Sequence, residues 1–259
     1  MASAIMGGLL AQGTQAQHLV VVEPSEAARE QLRSRFGVHA HPASGAFLQD
    51  CPVVVWAVKP QTFRDAAALT QAHTPEALHL SVAAGIRSDT LARWLNSERI
   101  VRAMPNTPAL IGQGISGLFA RAAVSQDDKD RVNTLMASTG ASMWLDDEAQ
   151  LDAVTALSGS GPAYVFFFLE AMRDAGQAMG LSPQQAYQLA VATFSGASAL
   201  AAASHEGPEV LRQRVTSKGG TTYAALTAME ASGIKPAFVA AMQAAQARAR
   251  EMGAEFGAA

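Results

Sequence analysis

The residues best placed to do chemistry lie in Val215-Thr-Ser-Lys-Gly-Gly-Thr-Thr222. Gly219 and Gly220 leave their backbone N–H groups unshielded, and the hydroxyls of Thr216, Ser217, Thr221 and Thr222 flank them. The stretch joins a polar helical pattern, Pro208–Arg214, to an apolar-striped one, Tyr223–Ala231. A glycine turn that runs into a helix start is a ready anion site, because unpaired N–H groups and the helix dipole point the same way. The same octapeptide also fits an ordinary turn in which Thr221 or Thr222 caps the next helix. Lys218 suits either an anion contact or plain solvation.

Other chemistries find less support. There is no Ser–His–Asp order, no His-Glu-x-x-His, no paired-carboxylate motif and no P-loop. His39 and His41 have the alternating spacing of a ligand pair, but no carboxylate or third ligand stands beside them, so no metal is expected. Cys51 is the only cysteine, which rules out an internal disulfide and suits a reducing cytoplasm. A net charge of −3 argues against nucleic acid or an anionic membrane surface as partner. No apolar run is long enough to span a bilayer, and no signal peptide is expected at the N-terminus. With 259 residues, 49% of them hydrophobic, the chain can bury a core and form one large or two ordinary domains.

The elements that must position these residues follow from pattern. Ala2–Leu10 reads as a helix, and His18–Val22 as a short strand. Ser25 is placed as the cap of a helix from Glu26 to Phe36, with Gly37 past its end. Pro52–Val58 is a continuous apolar run, as in a parallel strand covered on both faces. Leu78–Val82 and Ile100–Ala103 repeat it, with helical patterns between, Phe63–Leu69 and Asp89–Leu95. This rhythm predicts an α/β fold with a doubly wound, Rossmann-like parallel sheet. Such sheets bind ligands at the carboxyl ends of their strands. Here those ends carry Lys59-Pro-Gln61, Ala83-Ala-Gly85 and Met104-Pro-Asn-Thr-Pro108.

A dinucleotide fold opens with a strand and a Gly-x-Gly-x-x-Gly turn before its first helix. Residue 1 already lies in the first helical pattern, and Gly7-Gly8 falls inside it, so it is no phosphate loop. The expectation is a sheet lacking its first strand, a start placed at an internal methionine, and impaired cofactor affinity. Glu23 ends the second strand, where an acid bonds the ribose 2′-OH and disfavours the extra phosphate of NADP. A solvated strand-end carboxylate is an equal reading.

After a helix from Asp127 to Ser138 and a last strand, Ser142–Leu145, the chain reads as helical to its end. The boundary is expected between residues 147 and 148, giving a dinucleotide-binding domain over 1–147 and an all-α domain over 148–259. Pro162 suits a first helical position, with Gly161 or Ser160 as cap. The helix from Tyr164 to Met179 contains Phe166, Phe167 and Phe168 and is apolar nearly all round, so burial is expected. Ser182-Pro-Gln-Gln185 is a capping box opening a helix of small residues, a face suited to close helix–helix contact, within a chain or between subunits.

Ala57-Val-Lys-Pro-Gln61, Ser81-Val-Ala-Ala-Gly85, Val101-Arg-Ala-Met-Pro-Asn-Thr-Pro108, Leu157-Ser-Gly-Ser-Gly-Pro-Ala-Tyr164 and Val215–Thr222 together resemble the pyrroline-5-carboxylate reductase family, in order along the whole chain. The resemblance implies a helical C-terminal dimerisation domain and a homodimer assembled into a larger ring. It implies reduction of 1-pyrroline-5-carboxylate to L-proline with NADPH or NADH. It sets Ala57, Val58, Lys59, Pro60, Ala84, Gly85 and Asn106 near the cofactor. It sets Val215, Ser217, Gly219, Gly220, Thr221 and Thr222 around the substrate carboxylate, with Ser160 and Pro162 on the floor of the site. Thr222 is the candidate for substrate binding and proton relay. The sequence departs from the family in lacking the Gly-rich loop and in carrying Lys218 where many members have proline. A β-hydroxyacid dehydrogenase is an alternative of similar layout, but it needs a lysine on the first long C-terminal helix, where this chain offers Glu170 and Arg173. A cofactor-deficient oligomeric remnant is the alternative without catalysis.

Overall fold

The computed structural model describes residues 1–257. They form two compact units, one made of residues 1–162 together with Ala244 onward, the other of Ala163–Gln243.

The first unit opens with helix α1 (Ala2–Ala11), then strand β1 (Val21–Val22), α2 (Glu26–Phe36) and β2 (Ala40–His41). Strand β3 (Val53–Trp56), α3 (Pro60–Thr70), β4 (Leu78–Ser81), α4 (Ser88–Leu95) and β5 (Ile100–Met104) follow in the expected alternation. Strand β6 (Gly114–Ala120), α5 (Gln126–Ala137), β7 (Gly140–Trp144) and short α6 (Gln150–Val154) complete it. Of His18–Val22 only Val21 and Val22 pair as strand, while Ala16–His18 is a 3-10 turn. Caps fall where hydroxyls were available: Ser25 accepts from the Ala28 N–H, and Gly37 closes α2 at φ +67°.

The sheet is in two pieces. β1 pairs in parallel with β2, and β3, β4, β5, β6 and β7 form the larger sheet in that order. β3, β4 and β5 are parallel, as the apolar runs implied. β6 is a strand the sequence reading lacked, and it runs antiparallel to β5. Its glycines and polar residues, Gly114, Ser116 and Gly117, hide the apolar signal. They serve packing instead: a methyl group on Gly117 would stand 2.9 Å from Val154. Among the described residues, β1 has no partner other than β2, and β3 none other than β4.

Alternation along the strands builds a core on each face. Trp56, Phe63, Ile86, Leu91 and Ile100 fill one, backed by Trp94 and Phe256. Leu78, Leu80, Val101, Leu118 and Met136 fill the other. Gly7-Gly8 lies within α1, as expected. A side chain on Gly8 would run into the Ser138 carbonyl at 2.2 Å, so this glycine permits close packing.

The compact first unit extends past residue 147 for a packing reason. Leu151 and Ala156 are buried, Val154 lies on Gly117, and Phe256 from the last helix joins the core around Trp56.

The second unit is helical, with the bulk of α7 (Gly161–Ala178), α8 (Pro183–Ala203), α9 (Pro208–Arg214), α10 (Thr221–Ala231) and the start of α11 (Ile234–Gly257). Ser182 and Gln185 form the expected capping box. The expected burial of α7 does not hold within one chain: Phe166 and Phe167 are 58% and 66% exposed. The helix is apolar on more sides than its own chain covers. Leu169 is buried, Gly176 admits Ala186 closely, and Phe168 meets Phe238 edge-on.

One polar contact crosses the first core. The Trp56 indole N–H donates to Nδ1 of His79 at 3.0 Å, and both side chains are buried. The proton then sits on Nε2, which meets no acceptor. Burial, and secondly the charge of Arg99, lower the His79 pKa from 6.5 to about 4. A folded pKa below the unfolded one means that the unfolded chain binds the extra proton. Stability from this source is complete above pH 6.5 and declines as pH falls through about 4. The full loss is about 3 kcal/mol, with about 2 kcal/mol of it reached by pH 5. Urea midpoints at fixed protein concentration should fall accordingly between pH 7.5 and 5. His79→Gln, which keeps an acceptor for Trp56, should flatten that slope; an unchanged slope would assign it to other groups.

Candidate active site

The first unit brings three strand ends together. β3, β4 and β5 are in register from Trp56 through Ser81 to Arg102, so their carboxyl ends finish side by side. The Val82 N–H donates to the Trp56 carbonyl at 3.1 Å, which carries the ladder past the strands. The loops leaving there hold Ala57, Val58, Lys59 and Pro60, then Ala84 and Gly85, then Asn106. Lys59 is the exposed N-cap of α3, and Pro60 opens that helix. Gly85 sits at φ +79°, where a side chain would be strained and would meet Met252 at 3.0 Å. The Asn106 side-chain oxygen accepts from the Ile115 N–H at 3.0 Å, tying the third loop to β6.

Ser160 and Pro162 belong with these ends. Residues Thr155–Gly159 form a π-turn, and the Ser160 N–H reaches back to the Thr155 carbonyl at 2.8 Å. Turns of this kind recur at functional sites. Gly159 packs on Met104, the last residue of β5, so closely that a methyl there would lie 2.4 Å from Met104 Cε. Ser160 therefore follows a residue held at the end of β5, and Pro162 stands in the first turn of α7.

Glu23 lies apart from these loops, at the end of β1. Its N–H continues the ladder to the His41 carbonyl at 2.9 Å. Its Oε1 accepts from the Ser25 N–H at 2.8 Å.

In the second unit, Val215, Ser217, Gly219, Gly220, Thr221 and Thr222 share one turn between α9 and α10. Gly219 adopts φ +78°, the left-handed region open to glycine. The Gly220 N–H donates to the Ser217 carbonyl at 3.0 Å, and a side chain at 220 would meet Ser217 Oγ at 2.7 Å. Gly220, not a threonine, is the N-cap of α10, and no side chain caps this helix. Threonine capping fails because both hydroxyls lie inside the helix start, past the cap position. The first α10 amide to find a carbonyl is that of Ala224, bonded to Gly220 at 3.1 Å. The N–H groups of Thr221, Thr222 and Tyr223 have no acceptor among the described residues. A shallow cleft of about 400 Å³ along α9 and α10 is bordered by Thr216 and Lys218 but not by the glycines or by Thr222. The turn thus presents backbone donors and a half-buried hydroxyl, Thr222, to whatever anion reaches it.

A pyrroline-5-carboxylate reductase of Pseudomonas aeruginosa is 42% identical over 259 aligned residues, spanning 99% of this chain and 95% of that protein. The chain belongs to the pyrroline-5-carboxylate reductase family. The family model for pyrroline-5-carboxylate reductase dimerisation matches residues 148–252, and one for coenzyme F420-dependent NADP oxidoreductases matches residues 1–85. A solved pyrroline-5-carboxylate reductase from Coxiella burnetii superposes with a TM-score of 0.90 at 34% identity, over 97% of this chain and 94% of that one. The Plasmodium falciparum enzyme, solved with NADP bound, gives 0.86 at 28% identity over 97% and 94%.

Sequence reasoning missed the group that holds this family member's strand-end loops in place. Glu148 Oε1 accepts from the Ser88 N–H at 2.6 Å and from Arg102 at 2.7 Å, while Oε2 accepts from the Ser88 hydroxyl at 2.7 Å. Arg121 adds a bond to Ser88 Oγ at 3.3 Å. One carboxylate thereby ties the start of α4 to the middle of β5. Glu148 lies at the start of the stretch that reads as helical to the end of the chain, and nothing in the pattern pairs it with Arg102, 46 residues earlier. Because Arg102 is 9% exposed at its side chain, Glu148→Ala leaves a buried cation unpaired and should cost about 3–5 kcal/mol. Urea unfolding checks this; a loss under about 1 kcal/mol would mean that the pair is solvated.

Proposed function

We propose that this chain reduces 1-pyrroline-5-carboxylate to L-proline with NADH or NADPH, the last step of proline biosynthesis. The observation that carries this reading is the uncapped start of α10, where amides of Thr221, Thr222 and Tyr223 lack acceptors beside the Gly219–Gly220 turn. The substrate's one fixed charge is a carboxylate, and unpaired N–H groups at a helix start suit it. Val215, Ser217, Gly219, Gly220, Thr221 and Thr222 form the proposed carboxylate cradle. Ser160 and Pro162 supply the proposed floor.

The donor set of the first unit fits a nicotinamide dinucleotide. Small residues, Ala57, Ala84 and Gly85, stand at parallel strand ends, and Glu23 has an oxygen left to accept from a ribose hydroxyl. When bound, the cofactor supplies a hydride to the imine carbon. A cyclic imine protonates readily, so this chain needs no strong acid and no nucleophile. Ala57, Val58, Lys59, Pro60, Ala84, Gly85 and Asn106 hold the cofactor by backbone and short side chains. The cradle keeps the carboxylate of the substrate paired. The Thr222 hydroxyl donates to the carboxylate and stands as the proposed relay for the proton that reaches the ring nitrogen.

Residues 1–147 are the proposed cofactor-binding part, and 148–259 the part that pairs and holds substrate. A second copy of this chain covers the bare apolar face of α7, where Phe166 and Phe167 are exposed, and pairs assemble into a ring. The dimerisation family match supports the pairing. No described helix is long and apolar enough to cross a membrane, and a free Cys51 suits the cytoplasm as the proposed setting.

The test is loss of reduced-nicotinamide absorbance with pyrroline-5-carboxylate, with L-proline as product; no turnover with either cofactor would overturn the assignment. Thr222→Ala should raise KM for the imine about tenfold while KM for the nicotinamide stays within about twofold. Parent kinetics in this variant would remove Thr222 from the site.

A further inference from the structure

The two reduced cofactors differ by one phosphate on the adenine ribose, and the end of β1 is where a dinucleotide fold reads that ribose. Glu23 occupies this end. Its Oε1 is fixed by the Ser25 N–H at 2.8 Å, which leaves Oε2 as a free acceptor for ribose hydroxyls. Arg29 Nη1 donates to the carbonyls of Glu23 and Pro24 at 2.9 and 2.7 Å, which holds this guanidinium against the backbone of the turn. Of the other arginines of α2, Arg33 forms an exposed pair with Glu30 at 3.3 Å and Arg35 lies over the Phe36 ring. Glu26 adds a second carboxylate in the first turn of α2. On the neighbouring strand, His41 is stacked on Phe47 with ring centroids 3.7 Å apart.

Resting on the nicotinamide-cofactor reading above, we infer that Glu23 makes this chain select NADH over NADPH. The carboxylate accepts from the ribose 2′-OH of NADH. The 2′-phosphate of NADPH brings like charge against it and has no hydroxyl there to donate. Arg29 acts as a positioning residue, because its bonds to the Glu23 and Pro24 carbonyls set the turn that aims the carboxylate.

Fluorescence titration of the full chain with NADH and with NADPH reads the preference directly, without turnover. NADH should bind about tenfold to a hundredfold more tightly. Glu23→Ser should weaken NADH and tighten NADPH, so that the ratio moves at least about tenfold towards NADPH. Competition by 5′-AMP and by adenosine 2′,5′-bisphosphate should follow the same order and the same reversal. Tighter NADPH binding by the parent, or a ratio that Glu23→Ser leaves unmoved, overturns the inference while the reductase reading stands. Binding of neither cofactor overturns both.

Discussion

A backbone N–H withdrawn from water must find an acceptor, and that requirement organises this chain from end to end. At α2, α5 and α8 the demand is met locally, by Ser25, Ser125 and Ser182. In the larger sheet it is met across strands, with the parallel register of β3, β4 and β5 setting three carboxyl ends level. At α10, whose first turn is largely exposed, no group among the described residues meets it. Gly220 stands where a serine would cap, and the amides of Thr221, Thr222 and Tyr223 have no acceptor among the described residues. The glycine pair therefore has a double use: φ +78° at Gly219 turns the chain, and the bare Gly220 lets Ser217 fold close over the turn.

Buried polar groups in the first unit serve position. Glu148 gathers Ser88, Arg102 and, through Ser88, Arg121, so that α4 and β5 share one anchor. Such a pair adds little net stability over an apolar substitute, yet removing one partner is costly. The arrangement is thus sensitive to loss of either side chain, and the loops it holds are those proposed to contact cofactor and substrate. The Trp56–His79 bond does similar work one strand further out, at the root of the loop carrying Ala57, Val58 and Lys59.

Local rules read much of the fold from the sequence. Apolar runs located β3, β4 and β5, and Ser25, Gly37 and the Ser182–Gln185 box marked helix ends within a residue or two. The failures share a cause. β6 was hidden because its glycines answer to tertiary packing on Val154. The Glu148 anchor joins residues far apart in sequence, where no periodicity reaches. The α7 phenylalanines carry an apolar signal that one chain does not satisfy, since burial depends on what covers the helix. Thr221 and Thr222 looked like caps because residue type alone does not fix whether a threonine falls before or inside the first turn. The site residues were named through family resemblance, because small side chains and short loops at strand ends are common to all such sheets.

The most direct measurement is an amide nitrogen–proton correlation spectrum of the deuterated protein, titrated with L-proline and, separately, with pyrrolidine. L-proline should shift the Thr221, Thr222 and Tyr223 amides. Pyrrolidine, which has the ring but no carboxylate, should leave them in place. Equal shifts from both compounds, or shifts from L-proline that bypass these amides, would contradict it.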